Sequence, residues 1–544
     1  MEEVTTAVKN TKPKKSPGPD GIIPEVLLYG GQTLKSFLLT MFNLFWSSES
    51  IPADLVDAII CILFKKGDRS QCDNYRGISL LSVVGKVFCD ILLQRLQRIA
   101  ELVYPESQSG YREGRSTIDG IFTLRQIMEK CREQRQNLHI VFIDFTKAFD
   151  CVNRELLLEI MCKLGCPSKL VRVVKKLYSG VHARLRIDGE LSEPIQYNSG
   201  VKQGCKLAPA LFGIYAAVML LLAFKNTGTQ HSIKIRFRYD GDLFDLRRLK
   251  AKTKILTSYI REAQYADDIA IFSTDGPGLQ LLLSAYSSLS NKMGLHINIK
   301  KTETMSIGEQ VDFHIDTQKL QRVDRFKYLG SYVTKDCKLD LEITARIQAA
   351  SSALGRLRNR VFDCRDLSVE TKLKVYNQCI IPQMVYGSET WPLYRHHIKL
   401  LRTVQQRHLR SILKIKWDDY ITNNEVLHQA RATDIEIILI RNRLRWMGHV
   451  ARMPDDRPVK ALLYGVLNEG TRRVGRPLLR FKDTIKDILK RGGAIDYWRD
   501  AVNDRLAWRR LVDGVSHKID KDRQFRNKES RLRRHEKVGK RGGL

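Results

Sequence analysis

The sequence predicts an α+β protein in which a β-rich centre is flanked by basic helical regions. From about His139 onward, short apolar runs bounded by turn residues replace the helical patterns that come before them. After about Asp336, apolar residues again recur close to every 3.6 positions, as at Ile343 and Ile347. These changes predict four regions, at residues 1–138, 139–335, 336–425 and 426–544.

Composition bounds the class of protein but does not name its chemistry. The 544 residues are 43% hydrophobic, which is enough for several domains that each bury a core. Lys and Arg total 92 against 60 Asp and Glu, and the net charge of +32 favours a polyanionic partner such as nucleic acid. Ribosomal and structural nucleic-acid binders share this balance, so catalysis has to be argued from motifs.

Cysteine usage and hydropathy exclude several other classes. The eleven cysteines are scattered, and their odd number and the lack of a C-x-x-C pair argue against a disulfide framework or a zinc finger. The N-terminus has no signal-peptide pattern, and the longest apolar stretch, Leu211–Phe224, suits a core helix better than a bilayer span. We therefore expect an intracellular soluble protein with no membrane partner.

Local signals place the elements along the chain. Lys12–Gly21 is a basic Pro/Gly loop, and Pro24 suits the first turn of the helix that follows it. In the central region Asp188-Gly189 and Asp240-Gly241 lie between alternating runs and predict two hairpins. The chain then becomes helical and basic, and the tail from Lys518 has so few apolar residues that we predict it to be disordered.

The residues that carry chemistry are aspartates at the ends of predicted strands. The apolar run Ile140–Ile143 leads directly into Asp144, and Asp267-Asp268 form an acidic turn between two apolar runs. An Asp-Asp turn by itself is most often a solvated loop. If the two strands are neighbours in one sheet, however, three carboxylates converge and require a cation. Paired Mg²⁺ ions on such carboxylates stabilise the attacking and leaving oxygens of a phosphoryl transfer.

Ordered motifs extend over nearly the whole chain. They are, in sequence order, Ser16–Gly21 (SPGPDG), Asn74–Leu80 (NYRGISL), Gln108–Arg112 (QSGYR), Asp144–Val152 (DFTKAFDCV), Gly200–Gly204 (GVKQG), Tyr265–Asp268 (YADD), Gly294–Thr302 (GLHINIKKT), Tyr328–Gly330 (YLG), Tyr386–Trp391 (YGSETW) and Arg445–Val450 (RWMGHV). In this order and spacing, the set resembles the reverse transcriptases of non-LTR (LINE-type) retrotransposons. The resemblance implies a right-hand polymerase, with fingers in 1–138, an antiparallel palm sheet in 139–335, a helical thumb in 336–425 and a basic helical extension in 426–544.

The resemblance also implies a role for each matching residue. Asp144, Asp267 and Asp268 would hold two Mg²⁺ ions, and Lys301 would assist the departure of pyrophosphate as a general acid. Phe149 would exclude the 2′-hydroxyl of a ribonucleotide, with an ordinary core position as the alternative. The positions that match nucleotide- or template-binding residues are Arg76, Arg112, Gln203 and Gly204, with ordinary surface arginines as the alternative for the two arginines.

The implied reaction is the copying of an RNA template into DNA by the addition of dNTPs to a DNA primer. Many such elements carry an upstream endonuclease domain, which we expect to be missing here because the chain starts almost at the finger loop. A separate endonuclease would then nick the target. Lys206 and Ala208 depart from the family's usual residues, so we expect template handling to be impaired. Lys206 and the missing upstream domain favour the alternative of a catalytically silent nucleic-acid binder. The substrate suggests a nuclear location.

Overall fold

The computed structural model describes residues 1–539 except 66, 240–242, 252, 471 and 473–477. These residues form an α+β fold, as the sequence predicts. Their strands make two five-stranded sheets, a three-stranded sheet and two isolated hairpins. Among the described helices, none combines the length and the apolar character that a bilayer crossing needs.

The N-terminal region is mainly helical and includes a β-hairpin. Strands β1 and β2 pair antiparallel, with Ala58 opposite Leu81 and Phe64 opposite Tyr75. Beside them a core of aromatic side chains forms where Phe42, Phe45 and Phe88 meet. The elements are α1 (Glu2–Lys9), α2 (Pro24–Tyr29), α3 (Gly31–Ser48), α4 (Ala53–Val56), β1 (Ala58–Phe64), β2 (Tyr75–Leu81), α5 (Val83–Val103) and α6 (Thr117–Gln134).

The central region alternates strands with buried helices. Its helix α9 is apolar on all sides and lies in the core, which confirms the core-helix interpretation of Leu211–Phe224. The elements are β3 (Leu138–Ile143), α7 (Arg154–Lys163), α8 (Ser168–Tyr178), β4 (His182–Ile187), β5 (Glu190–Leu191), β6 (Ile195–Gln196), α9 (Ala208–Phe224), β7 (Ile233–Phe237), β8 (Leu256–Ile260), β9 (Glu262–Tyr265), β10 (Asp268–Ser273), α10 (Gly276–Lys292), β11 (Glu303–Ile307), β12 (His314–Ile315), β13 (Gln318–Lys319), β14 (Gln321–Arg322), β15 (Arg325–Tyr328) and β16 (Ser331–Thr334).

Strand β3 is the centre of the sheet that positions the site. The strand order is β14-β11-β3-β10-β9, and both neighbours of β3 run antiparallel to it. All six residues of β3 are buried, as expected for an apolar run covered on both faces. The central position therefore fixes the direction in which the chain leaves β3 at Asp144.

The second five-stranded sheet joins residues that are far apart in sequence. β1 pairs parallel with β4, so that Ala58 lies opposite Ala183, and β5 and β6 pair with β4. Residues 182–196, which the sequence boundaries place in the central region, thus complete the sheet of the N-terminal region. The pairing spans more than a hundred residues, and no local sequence signal reports it.

The C-terminal half is helical. The elements are α11 (Asp340–Leu357), α12 (Val369–Val375), α13 (Ile381–Met384), α14 (Arg395–Leu413), α15 (Asn423–Gln429), α16 (Ile435–Ala451), α17 (Pro458–Tyr464), β17 (Val466–Leu467), α18 (Phe481–Gly492), α19 (Trp498–Val502) and α20 (Arg505–Gly539). Trp446 is buried against Phe122 of α6, so its ring is a packed core side chain.

Helix α6 joins the C-terminal half to the central sheet through buried polar contacts. Asp119 accepts from Arg457 at 2.6 Å, and each of these side chains is only 2% exposed. Lys130 donates to the Gly465 carbonyl at 2.8 Å, and Glu129 accepts from the backbone N–H of Phe481 at 2.8 Å. Strand β17 pairs with β7 and so becomes the third strand of the sheet that contains β7 and β8. The two halves of the chain therefore satisfy each other's buried groups.

Two local expectations differ from the structure. Strand β7 pairs with β8 and not with residues next to Asp240-Gly241, a dipeptide that lies outside the described residues. The tail predicted to be disordered from Lys518 continues helix α20 to Gly539. Ile519 is buried, and Arg523, only 8% exposed, bonds Asp434, Asn424 and Asp520, so a few side chains anchor a segment of low overall hydropathy. The hairpin at Asp188-Gly189 is confirmed.

His408 in α14 makes the stability of this helical half sensitive to acid. Its ring nitrogens lie 3.3 Å from the Ser351 hydroxyl and 3.5 Å from the Tyr376 hydroxyl. Burial, with a smaller effect from Arg407, lowers the pKa of His408 to about 4. Because this value is below the unfolded value near 6.5, the stability contribution is complete above pH 6.5 and is lost as the pH falls toward 4.

We expect His408→Gln to lose less unfolding free energy than the wild type between pH 6.5 and pH 4.5. One proton taken up on unfolding changes the free energy by at most about 1.4 kcal/mol per pH unit. Urea denaturation at both pH values measures the difference. The variant His314→Gln, which changes an exposed histidine, should match the wild type. Parallel losses in wild type and His408→Gln would contradict the assignment.

Candidate active site

Three carboxylates converge at one edge of the central sheet. Ile143 of β3 pairs with Ile269 of β10, so the next residues, Asp144 and Asp268, lie opposite each other. Asp267 is in the turn between β9 and β10, and its charge and that of Asp144 both act on Asp268. The juxtaposition expected from two neighbouring strands is therefore present. The role of the three residues as metal ligands stays a prediction.

The turn that carries two of these carboxylates is held in an uncommon backbone conformation. Tyr265 pairs with Asp268, which leaves Ala266 and Asp267 as a two-residue hairpin loop. Ala266 has φ +57°, a left-handed value that costs a residue with a Cβ atom on the order of 1 kcal/mol. Surrounding groups must therefore fix the turn.

Gln108 is the side chain that fixes it. It is fully buried, and its carbonyl oxygen accepts from the backbone N–H of Ala266 at 3.1 Å and from that of Gly110 at 2.7 Å. A Cβ atom on Gly110 would lie 2.5 Å from the Ala266 nitrogen, so only glycine permits this approach. The segment 108–111, which the resemblance assigns to the fingers, thus packs directly against the acidic turn.

We expect Gln108→Met to lower the kcat of primer extension roughly tenfold to hundredfold with little change in the KM for dNTP. The substitution keeps the size of the side chain but leaves two N–H groups without their acceptor, and such a loss costs about 1–3 kcal/mol per group. Steady-state extension kinetics measure the split between kcat and KM. Gln318→Met, at an exposed strand position, is the matched control. An unchanged kcat in a folded Gln108→Met protein would refute this role.

The electrostatics of the carboxylates favour a bound cation. Asp268 is partly exposed, but burial of its carboxylate raises its pKa. The charges of Asp267 and Asp144 raise the pKa of Asp268 further, to about 6. Burial also raises the pKa of Asp267 and of Asp144. The Lys301 ammonium lies 4.0 Å from Asp144 and offsets only part of this cost. Oxygen donors that are disfavoured as free anions in this way fit a divalent metal ion.

Two cations of the β1–β2 hairpin face the carboxylates. Arg76 on β2 is exposed, and its charge opposes the upward shift of the Asp267 pKa. Lys65, just after β1, acts in the same direction on Asp267 and Asp144. Sequence reasoning found Arg76 but missed Lys65. The signal was available in the sequence, because Lys65 directly follows the apolar run that ends at Phe64.

Phe149 and Gln203 are each held by a contact with a neighbouring side chain. The half-buried ring of Phe149 stacks on Phe212, with ring centroids 4.5 Å apart and 17° between the planes. The Gln203 carboxamide lies 3.4 Å from Asp150, whose own pKa burial raises. Asp150 is a second residue that sequence reasoning missed. It lies within the DFTKAFDCV motif, where it orients Gln203.

The glycines of the GVKQG motif are required by contacts within the protein. Gly204 has φ +129°, and a Cβ atom there would lie 2.4 Å from the Ser79 carbonyl oxygen. The N–H of Ser79 in turn donates to the Gln203 carbonyl at 2.9 Å. At Gly200, φ is +70° and a Cβ atom would meet the Asp150 backbone at 2.5 Å. The motif therefore locks the loop onto β2 and onto the segment after β3.

The structure does not bring Arg112 to the site, which corrects its predicted placement near the triphosphate. Its side chain is buried, and its guanidinium donates to Glu101 at 3.0 Å and to the carbonyls of Pro105 and Gln108 at 3.0 and 3.1 Å. It also lies over the Tyr104 ring. Arg112 therefore stabilises the segment that contains Gln108, a role that its place in the QSGYR motif does not distinguish from ligand binding.

The unusual residues after Gly204 are accommodated within the protein. The Lys206 ammonium pairs with Asp90 of α5 at 2.9 Å, and Ala208 is buried at the start of α9. Lys206 is thus neutralised by a neighbouring helix. This arrangement removes the physical reason to expect impaired template handling.

A second group of potential metal ligands lies away from this edge. Asp340 is 3.2 Å from Nε2 of His397 and 3.4 Å from Nε2 of His396. Nδ1 of His397 receives the backbone N–H of Tyr394 at 3.4 Å, so the ring proton is on Nε2 and points to Asp340. The group is therefore best described as a hydrogen-bonded pair with a neighbouring histidine.

Antiparallel strands that carry three acidic side chains to one edge, opposite a basic hairpin, are the arrangement that the resemblance to right-hand polymerases implies for the palm. Residues 64–333 match the family described as reverse transcriptase (RNA-dependent DNA polymerase). The chain therefore contains a reverse transcriptase domain, which confirms the resemblance to retrotransposon reverse transcriptases that its motifs carry.

Individual relatives come from mobile elements. An RNA-directed DNA polymerase from mobile element jockey of Drosophila funebris is 25% identical over 433 residues, 77% of this chain and 44% of that protein. A probable RNA-directed DNA polymerase from transposon BS of Drosophila melanogaster is 23% identical over 468 residues, 83% and 48% respectively. Among solved structures, apo telomerase from Candida tropicalis aligns with 80% of this chain and 75% of its own at 11% identity and a TM-score of 0.40. The chain spans about half the length of the curated relatives it matches.

Proposed function

We propose that the chain is an RNA-directed DNA polymerase that adds deoxynucleotides to a primer 3′-hydroxyl on an RNA template. The observation that carries this proposal is the convergence of Asp144, Asp267 and Asp268 at one sheet edge, inside the region that matches the reverse transcriptase family. Three further features support it. They are the acidic turn that Gln108 fixes, the stack of Phe149 on Phe212, and the charges of Arg76 and Lys65 opposite the carboxylates. A silent nucleic-acid binder has no physical need for this arrangement.

In the proposed reaction the 3′-oxygen of the primer forms a bond to the α-phosphorus of the dNTP. The bond from that phosphorus to the bridging oxygen breaks, pyrophosphate leaves, and the hydroxyl proton passes to solvent. Lys301 holds a proton beside Asp144 and can give it to the departing pyrophosphate. Lys65 and Arg76 are placed to attract the triphosphate, since their charges already reach the carboxylates.

We propose two Mg²⁺ ions as the cofactor of this site. Asp144, Asp267 and Asp268 would hold them, because carboxylate oxygens combined with phosphate oxygens are the ligands that Mg²⁺ prefers. Bound ions supply electrostatic stabilisation to the attacking and leaving oxygens. The raised pKa values of the three aspartates support the assignment, since a divalent ion relieves the repulsion that the cluster stores.

The partners and the location follow from the proposed reaction. They are an RNA template, a DNA primer and dNTPs in the nucleus. We assign the fingers to 1–138, the palm to 139–335, the thumb to 336–425 and a basic extension to 426–544. Residues 182–196 complete the fingers sheet in this assignment.

The test is extension of a labelled DNA primer on an RNA template with the purified chain, dNTPs and Mg²⁺. We expect extension products, their loss when EDTA removes the metal, and their return when excess Mg²⁺ is added. Ca²⁺ at the same concentration is the control for ionic strength and charge.

Two results would overturn the proposal. Salt-sensitive binding of the duplex without any extension would identify a silent nucleic-acid binder. Extension that persists in EDTA would remove the metal from the mechanism and leave the three carboxylates without a role.

A further inference from the structure

A long groove crosses the C-terminal half of the protein, away from the strands that carry the aspartates. It lies between α14, the segment 420–425 that leads into α15, and the distal part of α20, and its volume is about 1330 Å³. A second cavity of about 560 Å³ adjoins it, and the two share the residues Lys399, Arg402, Arg523 and Asn527. Together they form a continuous channel along α14 and α20, which we call the C-terminal groove.

The walls of the C-terminal groove are strongly basic. Seven Lys and Arg side chains line the larger cavity, against two acidic ones, Glu425 and Asp434. Asp434 is already engaged by Arg402 at 2.9 Å and by Arg523 at 3.5 Å. Lys399, Lys521 and Lys528 are exposed, and among the described residues none pairs with them. The groove therefore carries an excess of positive charge that the protein does not neutralise.

Two aromatic rings stand in this basic groove with their surfaces open. Tyr420 is 81% exposed and Phe525 is 69% exposed, and both line the larger cavity. Exposed rings of this size cost hydration free energy unless a ligand covers them. Nucleic-acid bases stack on such rings, and lysines next to them bind the phosphates that connect the bases. Neither an acidic peptide nor a membrane surface needs rings spaced among lysines inside a concave channel.

We propose that the C-terminal groove binds single-stranded RNA, with bases on Tyr420 and Phe525 and phosphates on Lys399, Lys521 and Lys528. This surface goes beyond the polymerase site, because no residue of the aspartate edge contributes to it. The choice of RNA over DNA rests on the proposed function, in which the template is the long single strand. The groove then holds template RNA that has not yet been copied, or a part of the RNA that is never copied.

The test measures binding of a labelled single-stranded RNA of about 20 nucleotides by fluorescence anisotropy. The polymerase-site variant Asp267→Asn/Asp268→Asn is the background, so that extension plays no part in the readout. In this background we expect Tyr420→Ala/Phe525→Ala to weaken binding roughly tenfold to hundredfold, since each stacked base contributes severalfold. Lys521→Glu/Lys528→Glu should weaken binding by a similar factor and flatten its salt dependence.

Matched controls separate the groove from charge and aromaticity in general. Trp417→Ala removes an exposed ring that does not line the groove, and Arg509→Glu/Lys518→Glu reverses two exposed charges on α20 outside it. Both controls should bind RNA as the background does. All four changes are at exposed positions, and circular dichroism melting should show unchanged folds.

Two kinds of outcome would overturn the proposal, and a further one would overturn only the proposed function. Groove variants that bind RNA as tightly as the background, or controls that lose as much affinity as the groove variants, would remove the groove as the binding surface. A groove that prefers single-stranded DNA of the same sequence, or vesicles containing phosphatidylserine, would contradict RNA as its ligand. If the wild type does not extend primers but still binds RNA at the groove, the proposed polymerase function is wrong and the groove proposal stands.

Discussion

Replacing Asp267 and Asp268 together by asparagine is expected to reduce primer extension at least about a thousandfold. Asparagine keeps the size of each side chain but removes the charge that holds a metal ion, and such ions supply several kcal/mol of transition-state stabilisation. The measurement is single-nucleotide incorporation on an RNA template under single-turnover conditions. Binding of the primer and template should change little, because their phosphates are held mainly by basic side chains.

The control for this variant is Asp188→Asn/Asp316→Asn. Both residues are exposed turn aspartates with left-handed φ values of 49° and 53°, a conformation that asparagine tolerates. This protein should extend primers at the wild-type rate. If Asp267→Asn/Asp268→Asn also retains extension within a few fold, the acidic edge is not the catalytic centre and the proposed mechanism is wrong.

The variant Asp267→Asn/Asp268→Asn should be more stable than the wild type at pH 8 in the absence of metal. A carboxyl whose folded pKa is raised contributes stability at low pH, and that contribution is lost as the pH rises through the folded value, here about 6 for Asp268. Asparagine has no such loss. Thermal melting at pH 8 should therefore show a higher Tm for the variant, and melting at pH 4 should bring the two proteins together, which also excludes misfolding as the cause of lost activity.

Replacing Phe149 by alanine is expected to admit ribonucleotides to the site. We expect the preference for dNTP over NTP to fall by roughly a hundredfold or more, because a bulky ring excludes an added hydroxyl by steric overlap and not by a hydrogen bond. The ring is held in place by its stack on Phe212, so its position is defined before a nucleotide arrives. Competing incorporation of dNTP and NTP, measured as kcat/KM for each, gives the ratio.

Phe149→Tyr is the matched control, since it keeps the ring and the stack. It should retain the wild-type sugar preference. If Phe149→Ala leaves the preference unchanged while extension remains active, Phe149 is a core side chain and the gate must be another residue.

Sequence patterns predicted the acidic edge because its causes are local. An apolar run that ends in Asp144 and a hairpin tip at Asp267-Asp268 each report their own strand, and antiparallel pairing brings them together. The parallel pairing of β1 with β4 has no such local cause, since its partners are more than a hundred residues apart. Domain boundaries read along the chain therefore misplace residues 182–196 relative to the sheet that contains them.

Roles that depend on which hydrogen-bond partners surround a residue were harder to predict. Arg112 and Arg76 are the same residue type in the sequence. In the structure, Arg112 donates its hydrogen bonds to Glu101 and backbone carbonyls, whereas the charge of Arg76 acts on the carboxylate of Asp267. Gln108 is the converse case, a residue that was not predicted as part of the site but fixes the acidic turn. In the sequence its amide looks like that of an ordinary polar residue. The tail beyond Lys518 was predicted wrongly because a few buried side chains, Ile519 and Arg523 among them, anchor it.

The contacts between α6 and residues 457–481 set the size of the smallest piece that can fold. A shortened protein that ended with the family match at residue 333 would keep Asp119, Glu129 and Lys130 but lose Arg457, the Gly465 carbonyl and the Phe481 N–H. Removing one partner of a buried ion pair typically costs about 3–5 kcal/mol, a large share of the stability of a domain. The region of the family match and the helices that follow it therefore depend on each other for stability, so a protein prepared for measurement needs both.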